Sequence, residues 1–252
     1  MAGLCQLVSR VRRTSVATVT RWTHRHLTIV AVAAVVVLYA LLGFSNEVWG
    51  DVEYGARGDD RHWKSSMATG TVALGFLAAT LLWGAVRVLR GSRPRTHDPL
   101  RRRLGVQSAA WAAIHVVFGS TIHAEGWRVW QPFGFPWTRP DLSTKVLGVA
   151  VWIGLFALIG LAVLAFTSNA STMRRLGAAR WKSLHRIVYV VFVLVSLHVT
   201  SIQLQERRSV VHALLIQAVV VLVAVTVARA FLRHRSSAPT TPSVDLAGGP
   251  PS

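Results

Sequence analysis

Long apolar stretches, broken by short charged ones, set the pattern of this chain. Six intervals between successive charged residues are long enough to cross a bilayer: 26–46, 65–86, 104–124, 146–173, 187–205 and 209–228. A helix needs roughly 20 residues to cross about 30 Å of hydrocarbon. Inside lipid, the backbone must also satisfy its own hydrogen bonds. The pattern therefore predicts an all-α polytopic membrane protein with six transmembrane helices.

We divide the chain into three parts around these helices. Residues 1–25 form a basic N-terminal segment, residues 26–232 hold the six helices in one domain, and residues 233–252 are rich in Pro, Ser, Thr and Gly. That last composition is typical of a disordered tail. The first apolar stretch follows a long basic leader and has no A-x-A cleavage site, so we interpret it as a retained helix and not as a signal peptide.

Composition and motifs exclude several classes of protein. Of the 252 residues, 52% are hydrophobic and 15% are charged, which excludes a soluble enzyme and a disordered scaffold. The single cysteine, Cys5, excludes an intramolecular disulfide and a C-x-x-C site. The sequence has no G-x-G-x-x-G or Walker motif for nucleotides and no G-x-S-x-G motif of a serine protease.

The basic residues are unevenly distributed between the two sides of the predicted membrane. The formal net charge is +18, from 28 Lys and Arg against 10 Asp and Glu. With the N-terminus in the cytoplasm, 20 of the 28 basic residues lie inside and eight of the ten acids lie outside. This distribution fits the positive-inside rule and predicts that both termini are cytoplasmic. The charge therefore indicates topology, and we expect no nucleic-acid partner.

Histidines are the notable polar residues within the predicted helices. No acidic or basic residue lies in the middle of a segment, which argues against an ion-coupled transporter. His115 and His198 lie in the third and fifth segments, which both begin on the cytoplasmic side. At about 1.5 Å per residue, they lie about 16 Å and about 21 Å along their helices. Two axial ligands of one haem need such matched depths.

Two other interpretations of the membrane histidines stay open. A single histidine in a membrane helix is more often a hydrogen-bonded packing residue than a metal ligand. His123 and His212 lie near the outer interface, where we expect histidines in contact with water that bind no metal.

For His115 and His198 as ligands, we expect the other ring nitrogen to bond a backbone carbonyl one turn earlier.

Several short motifs surround these histidines. They are RRRLG (Arg101–Gly105) ten residues before His115, the pair Arg139 and Pro140, FTSN (Phe166–Asn169), RRLG (Arg174–Gly177), and WKSLHRIVY (Trp181–Tyr189) followed by His198. With them the chain resembles the ferric-reductase-like transmembrane family, over roughly residues 65–205. Within that family it is most similar to the haem-binding membrane subunits of the bacterial methionine-sulfoxide reductase system.

The resemblance implies a six-helix membrane cytochrome b. It places haem ligands at His115, His185 and His198, and it makes flavin mononucleotide a further candidate cofactor. The larger relatives, the NADPH oxidases, carry two histidines on each of two helices. This chain has Arg101 or Arg102 where the second histidine of the third helix would stand, so the number of haems, one or two, stays open.

His185 and the arginines near it allow more than one interpretation. On a straight helix, the 13 residues from His185 to His198 turn the two side chains about 140° out of alignment. Either the helix is bent or bulged, or His185 serves a second, inner haem; a plain interfacial role is the alternative. Arg102 and Arg175 are candidates for binding haem propionates or a flavin phosphate.

The resemblance also implies partners and a location. We expect an electron-transfer subunit of the bacterial cytoplasmic (inner) membrane, not a complete enzyme. It would take electrons from a cytoplasmic flavin reductase or reduced flavin and pass them to an extracytoplasmic acceptor such as a methionine-sulfoxide reductase. The alternatives are a direct ferric or metal reductase of the outer face, and a haem-free six-helix transporter or scaffold. The aromatic outer loop 124–143 fits membrane anchoring, with a lid or a docking surface as the alternative.

The predicted topology can be tested with reporter fusions. Fusions placed after Asp60, Asp141 and Glu206 should report an extracytoplasmic position. These sites follow the first, third and fifth predicted helices, and a chain that begins in the cytoplasm is outside after each of them. A fusion after Arg103 is the control and should report the cytoplasm. A cytoplasmic signal at any of the first three sites would contradict the six-helix count.

Overall fold

A computed structural model describes residues 26–41, 60–91, 98–122, 133, 137, 141–205 and 210–236. The basic segment 1–25, His123 and the end of the tail from residue 237 lie outside the described residues. Eight helices form within the described ranges: α1 His26–Leu41, α2 Asp60–Leu89, α3 Pro99–Ile122, α4 Leu142–Thr167, α5 Ala170–Leu176, α6 Ala178–His185, α7 Ile187–Gln205 and α8 Val210–Ser236.

Four spans within these helices are long and apolar enough to cross a membrane: Arg61–Leu89, Lys145–Thr167, Ala178–Leu204 and His212–His234. Helix α3 is of similar length, but its polar residues, His115 among them, make it less apolar. Helix α1 is apolar over its 16 described residues. The prediction of a helical membrane protein is therefore confirmed. The count of six crossings and the cytoplasmic position of both termini stay predictions.

The long helices pack in pairs. Helix α2 packs most extensively on α3, and α4 packs on α7, while α8 lies mainly against α2. A core of buried side chains joins these helices, consisting of Leu77, Ala78, Leu81, Leu161, Leu164, Val188, Val191, Phe192 and Val223. A smaller cluster, built from Ala31, Val72, Ala73 and Trp111, packs α1 against α2 and α3. Because lipid is as apolar as these side chains, close packing and not water exclusion must hold the bundle together.

Buried polar side chains add hydrogen bonds between the helices. Ser108 of α3 is fully buried and donates through its hydroxyl to the carbonyl of Ala73 on α2, at 2.9 Å. The side-chain amide of Gln217 on α8 donates to Thr200 Oγ1 at 3.0 Å and to Gln203 Oε1 at 3.2 Å on α7. In lipid such bonds hold neighbouring helices in a fixed register, because their polar groups have no water to bond instead.

The short helices α5 and α6 connect α4 to α7. Asn169 caps α5 by accepting a hydrogen bond from the backbone amide of Thr172, at 2.7 Å. Gly177 joins α5 to α6 with φ 77° and ψ 156°, a conformation that only glycine adopts without strain. The indole of Trp181 then donates to the carbonyl of Thr167 at 3.0 Å. This bond satisfies one of the terminal carbonyls of α4.

The helix between His185 and His198 is interrupted at Arg186. The amide of Arg186 bonds the carbonyl of Ser183 at 3.1 Å, and the amide of Tyr189 bonds the carbonyl of Arg186 at 3.0 Å. Both bonds span three residues instead of four, which tightens the chain locally. The irregular helix that the histidine spacing allowed for is therefore present, between α6 and α7.

Asp98 joins α2 to α3 at the opposite end from the α2 N-terminus. Its carboxylate accepts hydrogen bonds from the Trp83 indole at 2.7 Å and the Arg87 guanidinium at 2.5 Å. It also accepts from the backbone amides of Leu100 and Arg101, in the first turn of α3. Burial by itself would raise the pKa of Asp98, but these four hydrogen bonds together hold the pKa below its ordinary value of 3.8.

We predict that Asp98→Asn lowers the free energy of unfolding of the detergent-solubilised protein by about 1–2 kcal/mol at neutral pH, and with it the midpoint of thermal unfolding. Asparagine keeps an oxygen for the helix cap but loses the charge that faces Arg87. Because the folded pKa is depressed, the carboxylate stabilises the fold above pH 3.8 and loses this effect as the pH falls through the lower folded value. The difference between wild type and variant should therefore shrink in acid.

Asp141→Asn is the matched control, because Asp141 is an exposed aspartate that also precedes a long helix. Its effect on the unfolding midpoint should be smaller at every pH. An Asp98→Asn variant that unfolds at the same temperature as wild type would contradict the proposed role of this carboxylate.

Candidate functional site

His115 and His198 meet in the middle of the bundle. Their ring centres are 6.2 Å apart, and the ring planes are inclined by 77°. His115 comes from α3, in the pair α2 and α3, and His198 comes from α7, in the pair α4 and α7. The structure thus brings together the two histidines that the depth comparison selects from the sequence.

The Nδ1 atom of His115 is bonded to helix α2. It lies 2.9 Å from the carbonyl oxygen of Ser66 and 3.1 Å from the hydroxyl oxygen of the same residue. Ser66 is buried, with 5% of its surface exposed. With its proton on Nδ1, the ring would donate to this carbonyl and leave Nε2 available as a metal ligand.

His198 is held in the same way by helix α4. Its Nδ1 atom lies 2.8 Å from the carbonyl oxygen of Ala150, a residue that is 1% exposed. The expectation that each histidine bonds a carbonyl one turn earlier in its own helix was wrong. The carbonyls come from the facing helices, because the two rings extend across the helix interface and not back along their own helices.

The two rings line a common cavity. Its walls come from α2, α3, α4, α7 and α8, and Phe133 also borders it. The lining is mainly apolar, for example Leu77, Leu158 and Val195. Cavities with apolar walls and a few well-placed polar groups are typical of cofactor sites.

The histidine pair fits the ligand set of one haem iron. An imidazole nitrogen binds a metal ion at about 2 Å and lies about 1 Å from its own ring centre, so two imidazoles on opposite sides of one ion would have ring centres about 6 Å apart. The observed separation of 6.2 Å matches this value. Histidines that bind metal ions usually donate the other ring N–H to a carbonyl or carboxylate, as both rings can do in this structure.

His185 lies apart from this pair and does not line the cavity. Its ring stacks on Trp181, with centres 3.8 Å apart. Nδ1 lies 3.1 Å from the Trp181 carbonyl, and Nε2 lies 3.2 Å from the Ser168 hydroxyl. The structure therefore groups His185 with the junction of α4 and α6. Its role as a ligand of a second haem stays a prediction.

The two candidate arginines differ in position from Arg101. The side chains of Arg102 and Arg175 are exposed, near the ends of α3 and α5 that the predicted topology places in the cytoplasm. Arg101 is half-buried, and its guanidinium packs over Gly84 of α2, where a Cβ atom would lie 3.5 Å from the guanidinium carbon. Arg102 and Arg175 as phosphate or propionate ligands stay predictions.

An aromatic cluster adjoins the cavity through Phe133. Phe133, which lines the cavity, packs edge-on against Trp152 of α4 at 5.4 Å, and the Trp152 indole donates to the Phe133 carbonyl at 2.8 Å. Trp137 packs on the same indole at 6.1 Å and is 73% exposed. This part of the aromatic outer loop is therefore in direct contact with the cavity wall.

Comparison with known protein families settles the relationship of the chain. A family model described as ferric reductase like transmembrane component matches residues 69–196, about half of the chain. The chain belongs to this family. Its ferric reductase-like domain runs from α2 into α7 and includes His115 and His185, and the match ends two residues before His198.

Membership confirms the family resemblance and indicates a transmembrane electron-transfer or reductase role. Ferric reductase-like domains generally bind haem. The finer relation to methionine-sulfoxide reductase systems stays a prediction.

Several residues of the ferric reductase-like site escaped the sequence analysis. Ser66 and Ala150 contribute through backbone carbonyls, which every residue carries, so no side-chain signal marks them. Phe133 belongs to an aromatic loop of a kind that is ordinary at membrane interfaces, and Trp152 is one aromatic residue within an apolar helix. Gly70 and Gly154 carried a usable signal, because glycine inside an apolar helix often marks a close approach of another group.

Proposed function

We propose that this protein is a cytochrome b subunit of the bacterial cytoplasmic membrane that passes electrons from the cytoplasmic side to an acceptor outside. The observation that carries the proposal is the placement of His115 and His198, 6.2 Å apart between ring centres, each with Nδ1 on a backbone carbonyl. A haem b bound by this pair supplies a one-electron carrier within the bilayer.

The residues around the pair prepare it for this task. The carbonyls of Ser66 and Ala150 accept a hydrogen bond from a protonated Nδ1 and leave Nε2 for the iron. This hydrogen bond would make each imidazole a stronger ligand. The apolar walls of the cavity keep water from the two rings. Helix packing on both sides fixes the rings before any cofactor binds, which reduces the entropy lost on binding.

The basic inner face supports a separate electron donor. The chain carries no nucleotide-binding fingerprint, so electrons come from a cytoplasmic flavin reductase or from reduced flavin. The exposed side chains of Arg102 and Arg175 suit an anionic flavin such as flavin mononucleotide, or an acidic partner surface. Haem propionates are the other anions that these arginines fit.

The outer acceptor in this proposal is an extracytoplasmic reductase of the methionine-sulfoxide type. Phe133 lines the cavity and packs on Trp152, which in turn packs on the exposed Trp137, and this aromatic path supports an exit on this side. Direct reduction of ferric iron outside is the second candidate, and the description of the family favours it. Activity on ferric chelates without any partner protein separates the two candidates.

We predict that His115→Ala or His198→Ala abolishes or shifts the low-spin spectrum of the bound haem, because each change removes one axial imidazole. Absorption spectra of the purified, reduced variants measure this effect. An unchanged spectrum in both variants would contradict the assignment.

His123→Ala and His212→Ala are the controls, and both should keep the wild-type spectrum. His185→Ala decides the number of haems. Loss of only part of the haem would support a second haem at His185, whereas full haem content would assign His185 to the helix junction with Ser168 and Trp181.

A further prediction concerns the electron donor. NADPH alone should reduce the haem of the purified protein only negligibly, because the chain has no site that holds a nicotinamide against a flavin. Addition of a flavin reductase with free flavin should make the reduction fast. The rate should fall as ionic strength rises, since salt screens the basic inner face.

Stopped-flow absorption of the haem bands follows this reaction. Rapid reduction by NADPH without a flavoprotein would reveal a nucleotide site and contradict the proposal. In sealed vesicles, reduction only from the outer face would reverse the direction of electron transfer.

A further inference from the structure

Two glycines lie directly against the two histidine rings. A Cβ atom built on Gly70 of α2 would lie 2.8 Å from Nδ1 of His115, and one built on Gly154 of α4 would lie 2.7 Å from Nδ1 of His198. Real Cβ atoms essentially never approach a non-bonded heavy atom of another residue closer than 3.0 Å. A side chain at either position therefore requires the imidazole or a helix to move.

Each glycine lies at the same distance along the chain from the residue whose carbonyl bonds the histidine. Gly70 follows Ser66 by four residues, and Gly154 follows Ala150 by four residues. In an α-helix the Cα–Cβ bond tilts toward the N-terminus, so the side chain of residue i covers the carbonyl of residue i−4. Glycine at position i leaves that carbonyl open to a group from another helix. In both helix pairs, that group is the Nδ1 atom of a histidine.

We propose that Gly70 and Gly154 are positioning residues, which set the depth, separation and angle of the two histidine rings by leaving the facing backbone carbonyls uncovered. The inference rests on the proposed function, because a haem between the rings gives their separation and angle a consequence. Ring separation determines whether one iron can bind both imidazoles, and the carbonyl bonds determine how strongly the imidazoles donate to it.

Other glycines of the same helices show that this role is specific. Gly75 of α2 has open space where its Cβ atom would lie. Gly160 of α4 is closely packed, but against Val191, with Cγ2 only 2.5 Å from a Cβ atom built there. Gly75 thus reports the general effect of alanine in the helix, and Gly160 reports the effect of overpacking away from the histidines.

The first experiment uses the full chain in detergent without haem and measures thermal unfolding. Gly70→Ala should lower the unfolding midpoint in the wild-type background but not in the His115→Ala background, because the ring that meets the new methyl group is then absent. Gly154→Ala should behave in the same way with His198→Ala. Equal losses in both backgrounds would overturn the proposal.

Controls and a fallback keep this experiment decisive. Gly75→Ala should not lower the midpoint, since alanine favours the helix. Gly160→Ala should lower it by the same amount with and without His198→Ala. Where Gly70→Ala does not fold, folding of the double variant with His115→Ala supports the clash, and failure of both overturns it.

The second experiment uses the haem-loaded protein and records its low-spin ferric electron paramagnetic resonance spectrum and its reduction potential. The g values of such a haem depend on the angle between its two imidazole planes. Gly70→Ala and Gly154→Ala should therefore shift the g values or lose haem, whereas Gly75→Ala and Gly160→Ala should keep the wild-type spectrum. The reduction potential should rise in the first two variants, because weaker Nδ1 hydrogen bonds make the imidazoles weaker donors.

The two experiments separate failure of this inference from failure of the proposed function. If wild type binds no haem, the proposed function is wrong, and the haem-free experiment still tests the contact between glycine and histidine. If wild type binds haem through both histidines but the Gly70→Ala and Gly154→Ala spectra and potentials equal those of wild type, the positioning role alone is overturned.

Discussion

An imidazole can bond a backbone carbonyl of a neighbouring helix only where its ring has room beside that carbonyl. This requirement is met twice, at Ser66 for His115 and at Ala150 for His198. Each carbonyl accepts from its own helix and, in addition, from a ring that arrives from another helix. Because both rings are held at Nδ1, their separation of 6.2 Å is a property of how the helices pack.

The pairing of the helices provides for this requirement in each pair. Helices α2 and α3 form one closely packed pair and α4 and α7 form the other, and each pair contributes one histidine and one open carbonyl. The apolar core between the pairs, with Leu77, Leu161 and Val191 among its members, holds them at a constant distance. Hydrogen bonds such as that from Ser108 to Ala73 add register, which apolar contacts alone leave variable.

Polar junctions complete the bundle at one end. Asp98 ties the end of α2 to the start of α3, and the indole of Trp181 donates to the carbonyl of Thr167, the last residue of α4. His185 belongs to the second junction in this structure, through Ser168 and Trp181. The exposed Arg102 and Arg175 lie in α3 and α5, next to these two junctions.

The sequence by itself determined the helices and the depth of the two central histidines. Apolar intervals of about 20 residues can satisfy their backbone only as helices in lipid, and a constant rise per residue converts sequence position into depth. The interval 187–205 accordingly matches α7, and the interval 65–86 lies within α2. Motifs around His115 and His198 also identified the family.

Only the tertiary structure decided which way the rings turn and what holds them. The rotation of a helix about its axis and the choice of its neighbours depend on side chains far apart in the chain, and the period of the sequence does not specify them. This is why the carbonyl partners were expected in the wrong helix, and why Gly70 and Gly154 were not recognised. It also explains His185, whose position depends on the interruption at Arg186 and on contacts with Ser168, 17 residues away.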